Sequence, residues 1–81
     1  MTDTEAELAI LSHMTPGTKK FAVAVGFVFD ERHQHAFERL MLRDWIRLID
    51  VAVTLESRGQ PMRIFRVMPE AVAWYKQESG A

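Results

Sequence analysis

The sequence has no cysteine, three prolines, four glycines and one tyrosine in 81 residues. Without cysteine there is no disulfide and no thiolate zinc site, so packing alone must hold the fold together. That usage suits a reducing compartment. The scattered glycines form no phosphate-cradling loop. No apolar run approaches the roughly 20 residues needed to span a bilayer. The opening residues, MTDTEAELAI, are acidic where a secretory signal would be basic. Together these absences set the expectation of a soluble cytoplasmic protein.

A strong excess of one charge sign is also missing. Ten Lys/Arg face eleven Asp/Glu, a net charge of −1. Residues 1–18 carry three acids and no base, residues 19–66 nine bases against six acids, and residues 67–81 one base and two acids. The middle is mildly basic, a weak footprint for nucleic-acid binding. What is present is 48% hydrophobic residues, which is ordinary for a globular chain. The length allows one small domain, residues 1–81 with a core over about 4–77.

Leu8, Leu11, Ile10 and Met14 recur at helical spacing in the first segment. Thr4 and Glu7 have the spacing of a capping box, and Thr15-Pro16-Gly17 ends the helix. Residues 31–43, ERHQHAFERLMLR, form the clearest helix. Asp30 is a strong N-cap, and Phe37, Leu40 and Met41 make the core stripe with His33 one turn earlier. WIRLIDVAVT and MRIFRVM read as strands joined through LESRGQP, a hairpin with Arg58 and Arg63 near its tip. PEAVAWYKQ reads as a closing helix with Pro69 at its first position.

Residues 19–30, KKFAVAVGFVFD, admit two readings. Phe21, Val23, Val25, Phe27 and Phe29 alternate with smaller residues, as in a strand. Thr18 as an N-cap, Phe21, Ala22 and Val25 on one face, and Gly26 as a left-handed stop would instead make a short helix.

The run FERLMLRDWIRLID resembles the end of a recognition helix entering a first wing strand. RIFRVMPEAVAWY resembles the second wing strand and its continuation. FAVAVGF resembles a second helix ending on glycine. These pieces are similar to the winged helix-turn-helix family, over about residues 5–77. The resemblance implies an α+β, mainly helical fold: a three-helix helix-turn-helix core, a two-stranded β-hairpin wing and a C-terminal helix. It moves the expectation for 19–26 from strand to helix. The departures are one extra residue between Gly26 and Leu40, Asp44 where glycine is common, Met68 in place of a threonine cap, and His33 at a usually apolar position.

The resemblance also implies duplex DNA as a partner. The helix at 31–43 would enter the major groove and the wing at 55–63 would touch the backbone. Phosphate contact needs cations, and base readout needs Arg or Asn/Gln. Lys19, Lys20, Arg32, Gln34, His35, Arg39, Arg58 and Arg63 fall where those contacts would be needed, against Glu31, Glu38 and Glu56. The function expected is a small transcriptional regulator that acts by binding. The alternative is a winged-helix protein-interaction module without DNA binding. Met41, Leu42, Trp74 and Tyr75 offer a homodimer face for either. A strand at 21–29 would make a different α+β domain.

His33 and His35 stand two apart, whereas helical metal ligands use i, i+3 or i+4 spacing, so no metal site is expected. Ser12 and Ser57 stand beside no recognisable base, and neither an enzyme nor a cofactor is expected.

Overall fold

The computed structural model describes residues 2–53 and 58–80. Its elements are α1 (Asp3–Leu11), β1 (Lys20–Ala24), α2 (Glu31–Leu42), β2 (Ile46–Val53), β3 (Pro61–Val67) and α3 (Pro69–Ser79). The three strands form an antiparallel sheet in the order β1-β3-β2. This is a small α+β domain of two layers. One face of the sheet packs on the helices and the other meets solvent.

Residues 19–26 do not form the short helix that the resemblance implied. Lys20–Ala24 are a strand, paired to β3 from Lys20↔Arg66 to Ala24↔Met62. The local alternation prevails because β3 offers it a partner. Phe21 and Val23 are buried, and Phe21 stacks on Phe65 with ring centroids 5.4 Å apart. Gly26, at φ 85°, closes a turn after the strand instead of ending a helix. Thr18 caps nothing; its hydroxyl donates to the Thr15 carbonyl at 3.3 Å. With that helix absent, the described residues hold no helix-turn-helix. The hairpin of β2 and β3 is part of a three-stranded sheet and not a free two-stranded wing.

The cap of α1 also lies earlier than the expected Thr4–Glu7 box. The Thr2 hydroxyl accepts the Glu5 N–H at 3.1 Å, and Glu7 turns toward α2. The end of α1 is earlier too: the helix stops at Leu11, ahead of Met14 and the expected Thr15-Pro16-Gly17 stop, because Thr15 bridges to Lys20. The starts of α2 and α3 follow the sequence. Asp30 Oδ1 accepts the His33 N–H at 2.9 Å and opens α2. Asp44, at φ 60°, supplies the left-handed residue that ends it. Asp44 N–H donates to Met41 and Trp45 N–H to Leu40, each at 3.0 Å, satisfying carbonyls of the last turn. Met68 makes no side-chain cap bond, and Pro69 starts α3 where its missing N–H costs nothing.

Phe65 is the centre of the core. It stacks on Phe21 and meets Phe37 edge-on at 5.0 Å. Ile10, Leu11, Leu40, Ile46, Val67 and Ala71 surround this aromatic cluster. Phe29 lies 5.3 Å from Phe37, and Trp45 lies 5.3 Å from Trp74. The turn at 25–30 and α3 are thereby fastened to the same core.

Candidate interaction surface

The eight residues proposed from sequence for DNA contact do not share one face. Arg32, His35 and Arg39 line an open groove with Asp3 and Glu31. Gln34 sits in the same helix and donates to Glu38 at 3.3 Å. Lys20 lies on the outer sheet face, and Lys19 precedes it at φ 57° beside the start of α3. Arg58 occupies the hairpin turn at φ 54°. Arg63 lies in β3, its guanidinium 5.8 Å from the Phe65 ring, so it leans over the core and away from the hairpin tip. Glu56 and Ser57, and part of the 55–63 wing, fall outside the described residues.

Arg39 is engaged within the fold. Its Nε donates to Glu7 Oε1 at 2.8 Å, while Arg43 Nη1 donates to Glu7 Oε2 at 3.0 Å. Glu7 is the one charged residue among the buried described residues. Both its oxygens are satisfied, which offsets the cost of burying it. The hydrogen bond to Glu7 raises the pKa of Arg39 further above its ordinary value. This ion triad joins α1 to α2. With Arg39 so held, the exposed positions of α2 are Glu31, Arg32, His35, Glu38, Met41 and Leu42. They carry a single cation, Arg32, beside two acids and two apolar side chains, where phosphate contact would need several cations.

Sequence reasoning missed a row of cations on the outer sheet face. The register places Lys20 opposite Arg66, and Arg66 opposite Arg47. Arg47 is held by Asp44, with its Nε 2.8 Å from Oδ1. That pairing lowers the Asp44 pKa and raises that of Arg47, the side-chain hydrogen bond being the main cause in both. Among the described residues Lys20 and Arg66 have no carboxylate within salt-bridge distance. The alternation of MRIFRVM, with Phe65 and Val67 inward, carried the signal for Arg66.

Several large apolar side chains among the described residues are exposed. Leu42 is 87% exposed, Val53 61%, Val51 55%, Leu48 50% and Met41 44%. A shift in register between Leu48 and Asp50 puts Leu48, Val51 and Val53 on the same inward-facing side of β2. That side extends past the core, so these residues meet solvent. Trp74 and Tyr75, in contrast, are partly buried against the core.

Among the described residues no three His, Asp or Glu side chains converge as metal ligands would. No described helix is long and apolar enough to cross a membrane. Comparison with protein-family models, with curated proteins and with solved structures finds no match.

Proposed function

We propose that the chain is a protein-interaction module that acts by binding and has no catalysis of its own. The observation that carries this reading is the exposed apolar surface of the hairpin and the end of α2. Leu48, Val51 and Val53 share one side of β2, and Met41 and Leu42 lie in the last turn of α2, which leads into that strand. Large apolar side chains exposed outside a core are a mark of binding sites where they gather on one face. A second copy of the chain is the partner to test first, through Met41 and Leu42 together with the hairpin. Trp74 and Tyr75 take a smaller part, because the core already uses much of their surface. Sedimentation of the wild type and of Val51→Lys over a range of concentrations tests this. A dimer that the variant loses supports the proposal. A monomer at every concentration, with no change on Val51→Lys in capture of any partner, removes it.

Duplex DNA binding by a transcriptional regulator stands as a second reading, and the Lys20–Arg66–Arg47 row is the observation in its favour. The resemblance to winged helices enters here as part of that reading, through the order of α2, hairpin and closing helix. A duplex titration at low and higher salt tests it. Binding that fades with salt and weakens on Arg66→Ala supports duplex contact. No binding at either salt leaves the interaction module.

A further inference from the structure

The two edges of the sheet are treated differently. Val67 N–H donates to the Lys19 carbonyl at 2.7 Å, and Val25 N–H to the Pro61 carbonyl at 3.0 Å. Hydrogen-bonded and non-bonded pairs alternate along an antiparallel ladder. The bonded pairs between β1 and β3 are therefore Phe21 with Phe65 and Val23 with Arg63. Lys20, Ala22 and Ala24 turn their backbone groups away from the sheet.

Two of those groups are covered. The Lys20 carbonyl accepts Thr15 N–H at 2.7 Å, and the Ala24 carbonyl accepts Phe27 N–H at 3.0 Å. Between these ends, the N–H and carbonyl of Ala22 and the N–H of Ala24 have no backbone partner among the described residues. On the opposite edge the same alternation turns the backbone groups of Val51 and Val53 outward, and there Asp50 Oδ1 accepts the Val51 N–H at 2.8 Å. The register shift beside Ile49 further breaks that edge. A bulge and a charge are ordinary protection for an edge strand. The β1 edge has no such protection at Ala22.

The open edge also faces a cleft. Residues 21–24 form one wall, and Ile10, His13, Phe27 and Phe29 face them across about 200 Å³. Four consecutive strand residues can line a cleft only when the backbone edge is itself the wall, since their side chains alternate between faces. Phe27 remains half exposed there, although its ring meets Phe29 edge-on at 5.0 Å. The outer face at the head of the strand is positive. Lys20 lies there with Arg66 opposite it, while Lys19 sits beside the start of α3. The carboxylate close at hand, Asp30, is held by the His33 ring at 2.8 Å.

We propose that the free edge of β1 binds an extended, alternating apolar and acidic segment of a partner protein by strand addition. This rests on the interaction-module reading but uses a surface separate from the hairpin. The residue paired with Ala22 exchanges both backbone bonds with it and shares its outer face. Its two neighbours turn inward, between Ile10 and Phe29, and must be apolar. The outer-face positions lie diagonally beside Lys20 and so take carboxylates. Main-chain bonds supply affinity in this mode, and alternate side chains supply specificity.

The test is an amide NMR titration with a short amidated peptide in which valine and glutamate alternate, and with its valine–lysine counterpart as control. Shifts at Ala22, Ala24, Ile10, His13 and Phe27 with the glutamate peptide alone support the proposal. Ala22→Pro removes the outward N–H at an edge position where proline is tolerated. It should weaken binding at least about tenfold while keeping the remaining spectrum. Phe27→Glu, at an exposed position, should do the same by closing the cleft to apolar side chains. Shifts confined to Leu48, Val51 and Val53 would overturn this site and leave the interaction module standing. No shifts, equal binding of the lysine peptide, or undiminished binding by a folded Ala22→Pro would overturn it as well. Concentration-dependent shifts at Ala22 without peptide would replace the partner segment by a second copy.

Discussion

Glu7 Oε1 lies 2.8 Å from Arg39 Nε, and this bond joins α1 to α2 between residues 32 positions apart in the chain. Its other oxygen takes Arg43 at 3.0 Å. Glu7→Gln keeps the shape and removes the charge. The loss expected is about 2 kcal/mol, the scale of a hydrogen bond to a charged group. Urea unfolding should show a lower midpoint with an unchanged slope.

Arg32 and Arg39 stand seven residues apart on α2 but differ in role. Arg39 is held by Glu7, whereas Arg32 is exposed and makes no ion pair among the described residues. Arg39→Ala should lower the urea midpoint, because it leaves the buried Glu7 with one partner fewer. Arg32→Ala should stay within about 0.5 kcal/mol. Parallel urea curves check both, and they show whether any loss of binding in Arg39→Ala comes from the fold.

Asp30 has a depressed pKa. The His33 N–H bond is the first cause, and the bond to the His33 ring is the second. A group whose folded pKa is lowered adds stability above its unfolded value. That stability is lost as the pH falls through the folded one. Asp44, lowered chiefly by its Arg47 hydrogen bond, acts in the same sense. The contribution of these two groups should therefore be complete well above the ordinary aspartate value of 3.8 and be lost as the pH falls below it. Urea midpoints measured against pH should show a shallower acid limb in Asp30→Asn.

Phe65 is 1% exposed and touches the rings of both Phe21 and Phe37. Phe65→Ala should cost about 3–5 kcal/mol. A chain this short has a total stability on the order of 4–12 kcal/mol. Thermal melts should show a large loss of cooperativity or of midpoint. Phe65→Leu should keep most of the transition.

Leu42 is 87% exposed, so Leu42→Glu should alter stability by no more than about 0.5 kcal/mol. The same change should weaken any association through the end of α2 and the hairpin. Sedimentation and melting curves of one sample separate the two effects.

Much of the local structure was legible before any tertiary contact was known. Asp30 opening α2 and Pro69 opening α3 are local chemistry, and each is where it was read. Asp44, noted only as a departure from glycine, takes the left-handed conformation that glycine would have had. The stretch at 19–26 is instructive. Its period-two alternation alone pointed to a strand, and the resemblance to a known helix order displaced that reading. The pairing of Phe21 with Phe65 restored it. The candidate surface was less legible. Met41 and Leu42 stood out as apolar residues on a polar helix, but Leu48, Val51 and Val53 looked like ordinary strand residues.

The sequence by itself determined a cysteine-free chain of one domain's length, the ends of its later helices and the two strands of the hairpin. These rest on composition, caps and periodicity, which act over a few residues. Only the tertiary structure decided that Glu7 would take Arg39 and Arg43, that Lys20, Arg66 and Arg47 would form a row, and that Ala22 would lie on an open edge. Those facts depend on register and on which elements pack together. Long-range burial acts on both: with β1 paired to β3, Phe21, Val23 and Phe65 are buried together.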